Sequence, residues 1–186
     1  MTVSYPQPSA ERSALLEQIK ERALFRGEFT LSSGLKADYY VDLRRINLAG
    51  KTAPLVGRVM LETVRELDFD AVGGLTMGAD PMATAIMYAA IAQGRDLDAF
   101  VVRKADKAHG LQRRIEGPDV AGRRVLIVED ASTTGNSPLA AVEAAREAGA
   151  EVVAVACIIE RGAAKAIEAA GLPYYAAYNE ADLLGV

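Results

Sequence analysis

From position 70 onward the chain repeats one local theme: an uninterrupted apolar run, a short turn, then a stretch with helical spacing. The runs at 71–75, 99–102, 125–128 and 152–159 each fit a strand, and a last one lies around 174–177. Helical patterns follow at 80–94, 138–148 and 163–170. Strands without in-and-out alternation are buried on both faces, and the helices between them supply the cover. The expectation is an α/β fold, a parallel sheet flanked by helices. Sheets of this kind bind ligands outside the carboxyl ends of their strands. The chemistry-bearing segments, 76–80, 103–109, 129–137 and 160–161, all fall at those ends.

The first third of the chain follows a different plan. Residues 10–25 read as a helix with Leu15, Leu16 and Ile19 on one side. Between 27 and 46, Tyr39, Val41 and Leu43 alternate with Tyr40, Asp42 and Arg44, which predicts a short strand or hairpin. Helical spacing returns at 52–67. With 186 residues, 51% of them apolar and 25% charged, the chain fits one globular domain of ordinary size. Its parts are an N-terminal section over about 10–50 and a ligand-binding core over about 51–186.

No apolar run approaches the roughly 18 residues of a membrane span. The opening residues lack the basic-then-apolar order of a secretory signal. The lone Cys157 sits inside an apolar run, where a buried small hydrophobe is expected rather than a reactive thiol. The reading is a soluble cytoplasmic protein with no membrane partner. A net charge of −4 argues against a nucleic-acid partner.

The densest chemistry is the run from Arg123 to Ser137. Apolar residues 125–128 lead to Glu129 and Asp130, then Ala131, Ser132, Thr133, Thr134, Gly135, Asn136 and Ser137. Ser137 is expected as the cap of the next helix, with Pro138 at its first position. Backbone N–H groups at a helix start suit a phosphate. Adjacent carboxylates repel phosphate but suit the neighbouring hydroxyls of a sugar, or a metal. A ribose 5-phosphate answers both halves. This arrangement resembles the phosphoribosyl-pyrophosphate (PRPP) motif of the phosphoribosyltransferases, in which the acids address the ribose hydroxyls and the Thr-Thr-Gly turn cradles the 5-phosphate.

Displacing pyrophosphate from ribose C1 develops positive charge on the sugar and releases a polyanion, so cations are needed nearby. Arg103, Lys104, Lys107, Arg113 and Arg114 crowd into twelve residues around His109. Arg-Lys-x-x-Lys-x-His-Gly at 103–110 resembles the catalytic loop of the orotate phosphoribosyltransferases. Phe29-Thr-Leu with Ser33-Gly34, and Asp38 to Asp42, resembles the hood that this family folds over the pyrimidine.

The resemblance implies that Arg103, Lys104, Lys107 and His109 contact pyrophosphate, and that Thr133 and Arg161 contact orotate. It places Tyr40 and Val41 against the base. Lys104, Lys107 and Asp130 are the implied catalytic set, and residues 129–137 the implied PRPP cradle. Mg²⁺ is the implied cofactor, carried by substrate and water rather than by a protein ligand set. A homodimer sharing the loop across subunits is the implied assembly.

The sequence departs from the family pattern in four places. Val41 stands where some relatives pair a second aromatic with Tyr40, and the loop's second half at 111–115 is more basic than glycine-rich versions. Two lysine positions are also changed. Residues 76–79, Thr-Met-Gly-Ala, offer no cation where many members carry a lysine, and Ser32 stands where some have another, with Lys36 nearby. Two other functions share parts of this pattern. A purine phosphoribosyltransferase would keep the cradle without the basic loop. A non-catalytic PRPP-sensing regulator would keep the cradle and lose the cations. Gly-x-Gly-x-x-Gly is absent, which sets aside a dinucleotide-binding unit.

Overall fold

The computed structural model describes residues 3–30, 36–104 and 114–185. Ser32, Ser33 and Gly34 of the expected hood lie outside the described residues. Helix α1 (Ala10–Arg22) precedes strands β1 (Leu24–Thr30) and β2 (Lys36–Val41), a short helix α2 (Arg44–Asn47) and helix α3 (Ala53–Thr63). There follow β3 (Ala71–Leu75), α4 (Ala79–Ala92), β4 (Asp98–Val102), β5 (Ile115–Glu116) and β6 (Arg124–Ser132). The chain continues through α5 (Asn136–Glu147), β7 (Glu151–Glu160), α6 (Ala164–Ala169), β8 (Tyr174–Asn179) and α7 (Glu180–Leu184).

β1 and β2 form a separate antiparallel pair, with Phe25 opposite Tyr40 and Arg26 opposite Tyr39. The other strands make one sheet in the order β5-β4-β3-β6-β7-β8, parallel except for β5 at the edge. Alternation along β6 splits the core in two. Leu126 and Val128 pack with Val59 and Met60 of α3 and Met82 and Ile86 of α4. Val125 and Ile127 pack with Ala141, Val142 and Ala145 of α5 and with Ile167 of α6. Both faces are therefore apolar and covered, as the unbroken runs required. Cys157 is buried in the second cluster, its Sγ 3.0 Å from the Tyr174 hydroxyl.

Strand order decides where a ligand can sit. After β3 the chain adds β4 on one side, then returns to place β6 on the other. The connections leaving β3 and β6 thus diverge, and a crevice opens at the carboxyl ends of these two neighbours.

Several boundaries differ from the sequence reading. The helix expected over 10–25 ends at Arg22, because Leu24 and Phe25 pair with Val41 and Tyr40 in β1, and the one expected over 52–67 ends at Thr63. α5 begins at Asn136, not at Pro138, and its N-cap is Gly135 at φ 80°, ψ −4° rather than Ser137. A chain leaving the sheet and turning back over it needs that left-handed corner, which glycine adopts without strain. Pro138 is buried within the first turn. Likewise α4 starts at Ala79, and Asp80 does not cap it. Its Oδ2 instead accepts a hydrogen bond from the Thr76 hydroxyl at 2.6 Å, closing the turn after β3. The sequence also gave no sign of β5, whose two residues are too short to show a period.

Candidate active site

Glu129 and Asp130 lie within β6 itself, because its pairing with β7 continues through Ala131 opposite Ile159 and Ser132 opposite Glu160. This extension carries the acids to the crevice beside β3. The turn after β3 meets them there at Gly78. A methyl group on Gly78 would stand 2.5 Å from Glu129 Oε1 and 3.1 Å from Asp130 Oδ1. The Asp130 N–H donates to Glu129 Oε1 at 3.1 Å, and the Ala131 N–H to Asp130 Oδ1 at 2.7 Å.

Glu129 is only 6% exposed. Burial first, then the charge of Asp130, pushes its carboxyl up to about 8. Burial also raises Asp130, although the Ala131 N–H and the Arg44 guanidinium act in the opposite direction. Two carboxyls this close and this poorly hydrated resist carrying two charges at once, so partners for their charges favour ionisation.

A cavity of about 370 Å³ opens over these acids. It brings together Tyr40, Val41, Lys104, Glu129, Asp130, Ala131 and Ser137, all singled out from sequence. Its remaining wall includes Asp42, Arg44 and the turn at Thr76, Met77 and Gly78. Arg44 was not foreseen. Its Nε donates to Asp42 Oδ1 at 2.7 Å and its Nη2 to the Tyr40 hydroxyl at 3.2 Å, which holds a fixed guanidinium beside the cation-free turn. The only sequence trace of this is an acid and an arginine two residues apart, just after the hood strand.

The other described candidate residues do not line this cavity. Thr133, Thr134 and Asn136 are exposed on the turn into α5, while Ser132 and Gly135 are buried. The Asn136 N–H donates to Thr134 Oγ1 at 3.4 Å. Arg103 is held between β4 and β5, its N–H on the Arg114 carbonyl at 2.8 Å and its guanidinium 3.6 Å from Glu116. Lys107 and His109 lie outside the described residues.

Arg161 follows β7, and its N–H donates to the Ser132 carbonyl at 2.9 Å, which sets it beside Thr133. Its side chain is 15% exposed, and burial lowers its pKa below the ordinary arginine value. The guanidinium carbon stands 4.8 Å from the centre of the Tyr39 ring. Tyr39 too was missed. The sequence places it in the alternating hood strand and assigns it no role.

Among the described residues no three His, Cys, Asp or Glu side chains form a metal-ligand set. The paired carboxyls of Glu129 and Asp130 suit a small hard cation that keeps most of its ligands from substrate and water, which is how Mg²⁺ is commonly held.

Residues 48–170 match the phosphoribosyl transferase domain family. The orotate phosphoribosyltransferase of Streptomyces avermitilis is 69% identical over 175 residues, covering 92% of this chain and 96% of that protein. An orotate phosphoribosyltransferase of Mycobacterium tuberculosis, solved in complex with Fe(III) dicitrate, superposes with a TM-score of 0.84 at 54% identity, covering 93% of this chain and 98% of that one. The same enzyme solved with PRPP gives a TM-score of 0.79 at 45% identity, over 95% of this chain and 93% of that one. The chain belongs to the phosphoribosyltransferase family and, within it, to the orotate phosphoribosyltransferases.

Proposed function

We propose that the protein transfers the 5-phosphoribosyl group of PRPP to orotate, giving orotidine 5-monophosphate and pyrophosphate for pyrimidine synthesis. One observation carries the reading: the acid pair of β6, the hood residues Tyr40 and Val41, and Lys104 line a single cavity at the switch point of the sheet. The supporting comparison is the identity to orotate phosphoribosyltransferases across nearly the whole chain.

In this reading Glu129 and Asp130 accept hydrogen bonds from the ribose hydroxyls, and their ionised forms offset positive charge growing on the sugar. The backbone N–H groups of the turn from Thr133 to Ser137 and the hydroxyls of Thr133 and Thr134 take the 5-phosphate. Gly135 allows the tight corner that aims them. Arg103, Lys104, Lys107 and His109 receive the departing pyrophosphate as the C1–O bond breaks and a ring nitrogen of orotate bonds to C1. Tyr40 and Val41 pack on the base, and Thr133 and Arg161 hold it by its polar edge. Mg²⁺ is the proposed cofactor and would be carried by substrate and water, with Glu129 and Asp130 the nearest carboxyls to it. When bound it supplies neutralising charge to the pyrophosphate.

The protein is further proposed to act in the cytoplasm as a single phosphoribosyltransferase domain, assembled as a homodimer that shares the basic loop. The support for a dimer is a groove of about 990 Å³ lined by Leu48, Met77 and Tyr88. These large apolar side chains are 65–69% exposed, and Met77 also lines the active-site cavity. A partner seated there would adjoin the site. No helix among the described residues is long and apolar enough to cross a membrane.

The direct test is loss of orotate absorbance on adding PRPP and Mg²⁺, with adenine, hypoxanthine and uracil as controls. Turnover of a purine without turnover of orotate would overturn the substrate assignment.

A further inference from the structure

Among the described residues two arginines stack on tyrosine rings, and they differ in one respect. Arg12 lies 5.0 Å from the ring centre of Tyr178. Its Nε donates to the Ala177 carbonyl at 2.8 Å, its Nη2 reaches Asp182 at 3.4 Å, and the Tyr178 hydroxyl donates to the Arg12 carbonyl at 2.6 Å. Nε and Nη2 of Arg12 and the Tyr178 hydroxyl are all partnered. Such a pair is structural, pinning α1 to β8.

Arg161 and Tyr39 make a similar stack at 4.8 Å with its polar ends open. Arg161 Nε and the Tyr39 hydroxyl are both buried, and neither has a hydrogen-bond partner among the described residues. The nearest charge is Glu180 Oε1, 3.7 Å from Nε, beyond hydrogen-bond reach. A buried guanidinium Nε without a hydrogen bond is costly unless a ligand completes the group. The ring face of Tyr39, at 4.8 Å, is the group that lies over the guanidinium plane.

We propose that Tyr39 is a positioning residue for substrate selection: its ring face orients Arg161 so that the guanidinium fork presents its donors to the carboxylate of the base. This rests on the reading that Arg161 receives the orotate carboxylate. The alternation of β2 makes the two tyrosines different in kind. Tyr39 faces inward and packs against the core, whereas Tyr40 on the other face lines the cavity. The hood therefore acts on the base twice, directly through Tyr40 and through Arg161 by way of Tyr39. It also ties the hood strand to the end of β7, so hood placement and carboxylate recognition move together.

A face-on cation–ring contact that is partly desolvated corresponds to an effect of roughly three- to thirtyfold on an equilibrium. Orotate KM, PRPP KM and kcat should be measured for Tyr39→Phe, Tyr39→Leu, Arg161→Ala and the Tyr39→Leu/Arg161→Ala double variant. Tyr39→Phe keeps the face and removes an orphaned hydroxyl, so orotate KM stays as in the parent and thermal stability holds or rises. Tyr39→Leu raises orotate KM by the factor above and leaves PRPP KM alone. In the double variant the Tyr39→Leu effect vanishes, because the group it positions is gone. Replacing Tyr39 with phenylalanines of increasing ring fluorination keeps the shape while draining negative charge from the face. Orotate KM should climb with each fluorine, and this series decides the matter if the leucine variant does not fold. An orotate KM unchanged in Arg161→Ala would overturn the carboxylate assignment itself. A raised KM in Arg161→Ala, with no coupling to Tyr39 and no fluorine trend, would overturn the role of Tyr39 alone.

Discussion

Gly78 and Glu129 come so close that a single methyl on Gly78 would stand 2.5 Å from Glu129 Oε1. The turn after β3 and the acid end of β6 are thus in contact through a position where no side chain fits. Gly78 has an ordinary helical backbone, so the requirement is for space and not for an unusual φ. The atom in the way is the tip of a side chain that can rotate. Gly78→Ala is therefore expected to fold with near-parental thermal stability while displacing the Glu129 carboxyl. Misplacement on the scale of 1 Å costs about a hundredfold in rate. Parental kcat/KM in a folded Gly78→Ala protein would show that Glu129 need not occupy this place.

The raised pKa of Glu129 has a definite sign in stability. In the unfolded chain the carboxyl ionises near 4.5, and in the fold near 8. Between those values the fold retains a proton that the unfolded chain has lost, so stability falls as pH rises through this window and levels off above it. The unliganded protein should lose thermal stability from about pH 5 to 8, and Glu129→Gln should flatten part of that slope. Sugar hydroxyls favour the ionised acid, so PRPP binding at pH 7 should release up to about one proton. Calorimetry in two buffers of different ionisation enthalpy measures it, and the release should shrink in Glu129→Gln.

Asp130→Asn separates chemistry from folding. The amide oxygen can still accept from the Ala131 N–H, now at 2.7 Å from Oδ1, so the local hydrogen bond survives. The charge does not. The rate should fall by about a hundred- to a thousandfold, the usual cost of one electrostatic contact to a transition state. The midpoint of thermal unfolding should barely move. A large drop in that midpoint with full activity per folded molecule would assign Asp130 to structure.

Arg44 supplies charge where the turn at Thr76, Met77 and Gly78 has none. It is 46% exposed, so its ion pair with Asp42 adds little to stability. Arg44→Gln should raise PRPP KM by roughly three- to tenfold at low ionic strength and by less at high salt. Arg44→Lys should recover only part, since lysine keeps the charge and loses the fork. Initial rates at two salt concentrations test both expectations.

If the basic loop serves the partner's site, two inactive variants should complement. Lys107→Ala damages the loop and Asp130→Asn the cradle. A mixed dimer collects both lesions in one site and leaves the other whole, so co-refolding should restore activity toward one site in two. Subunit exchange is confirmed by native mass. Exchange without recovered activity would place the loop in its own subunit.

The alternation of buried strands and helices was legible because it is local: unbroken apolar runs, helical spacing and turn residues are all read within a dozen positions. The cradle at 129–137 was legible for the same reason, since acids, hydroxyls and glycine are contiguous there. The sequence misplaced the start of α5, because capping propensity favours Ser137 while the corner over the sheet requires a left-handed residue, and Gly135 provides it. Arg44 beside Met77, Gly78 against Glu129 and Arg161 over Tyr39 were not legible at all. Each joins segments far apart in the chain, and no local period carries that information. Strand order brought β3 beside β6, and the packing of the hood on the end of β7 fixed which cations, acids and rings share one small volume. Local patterning decided that this chain buries a sheet; tertiary structure decided which charges must face each other once water is excluded, because their interaction depends on distance in space and not on separation along the chain.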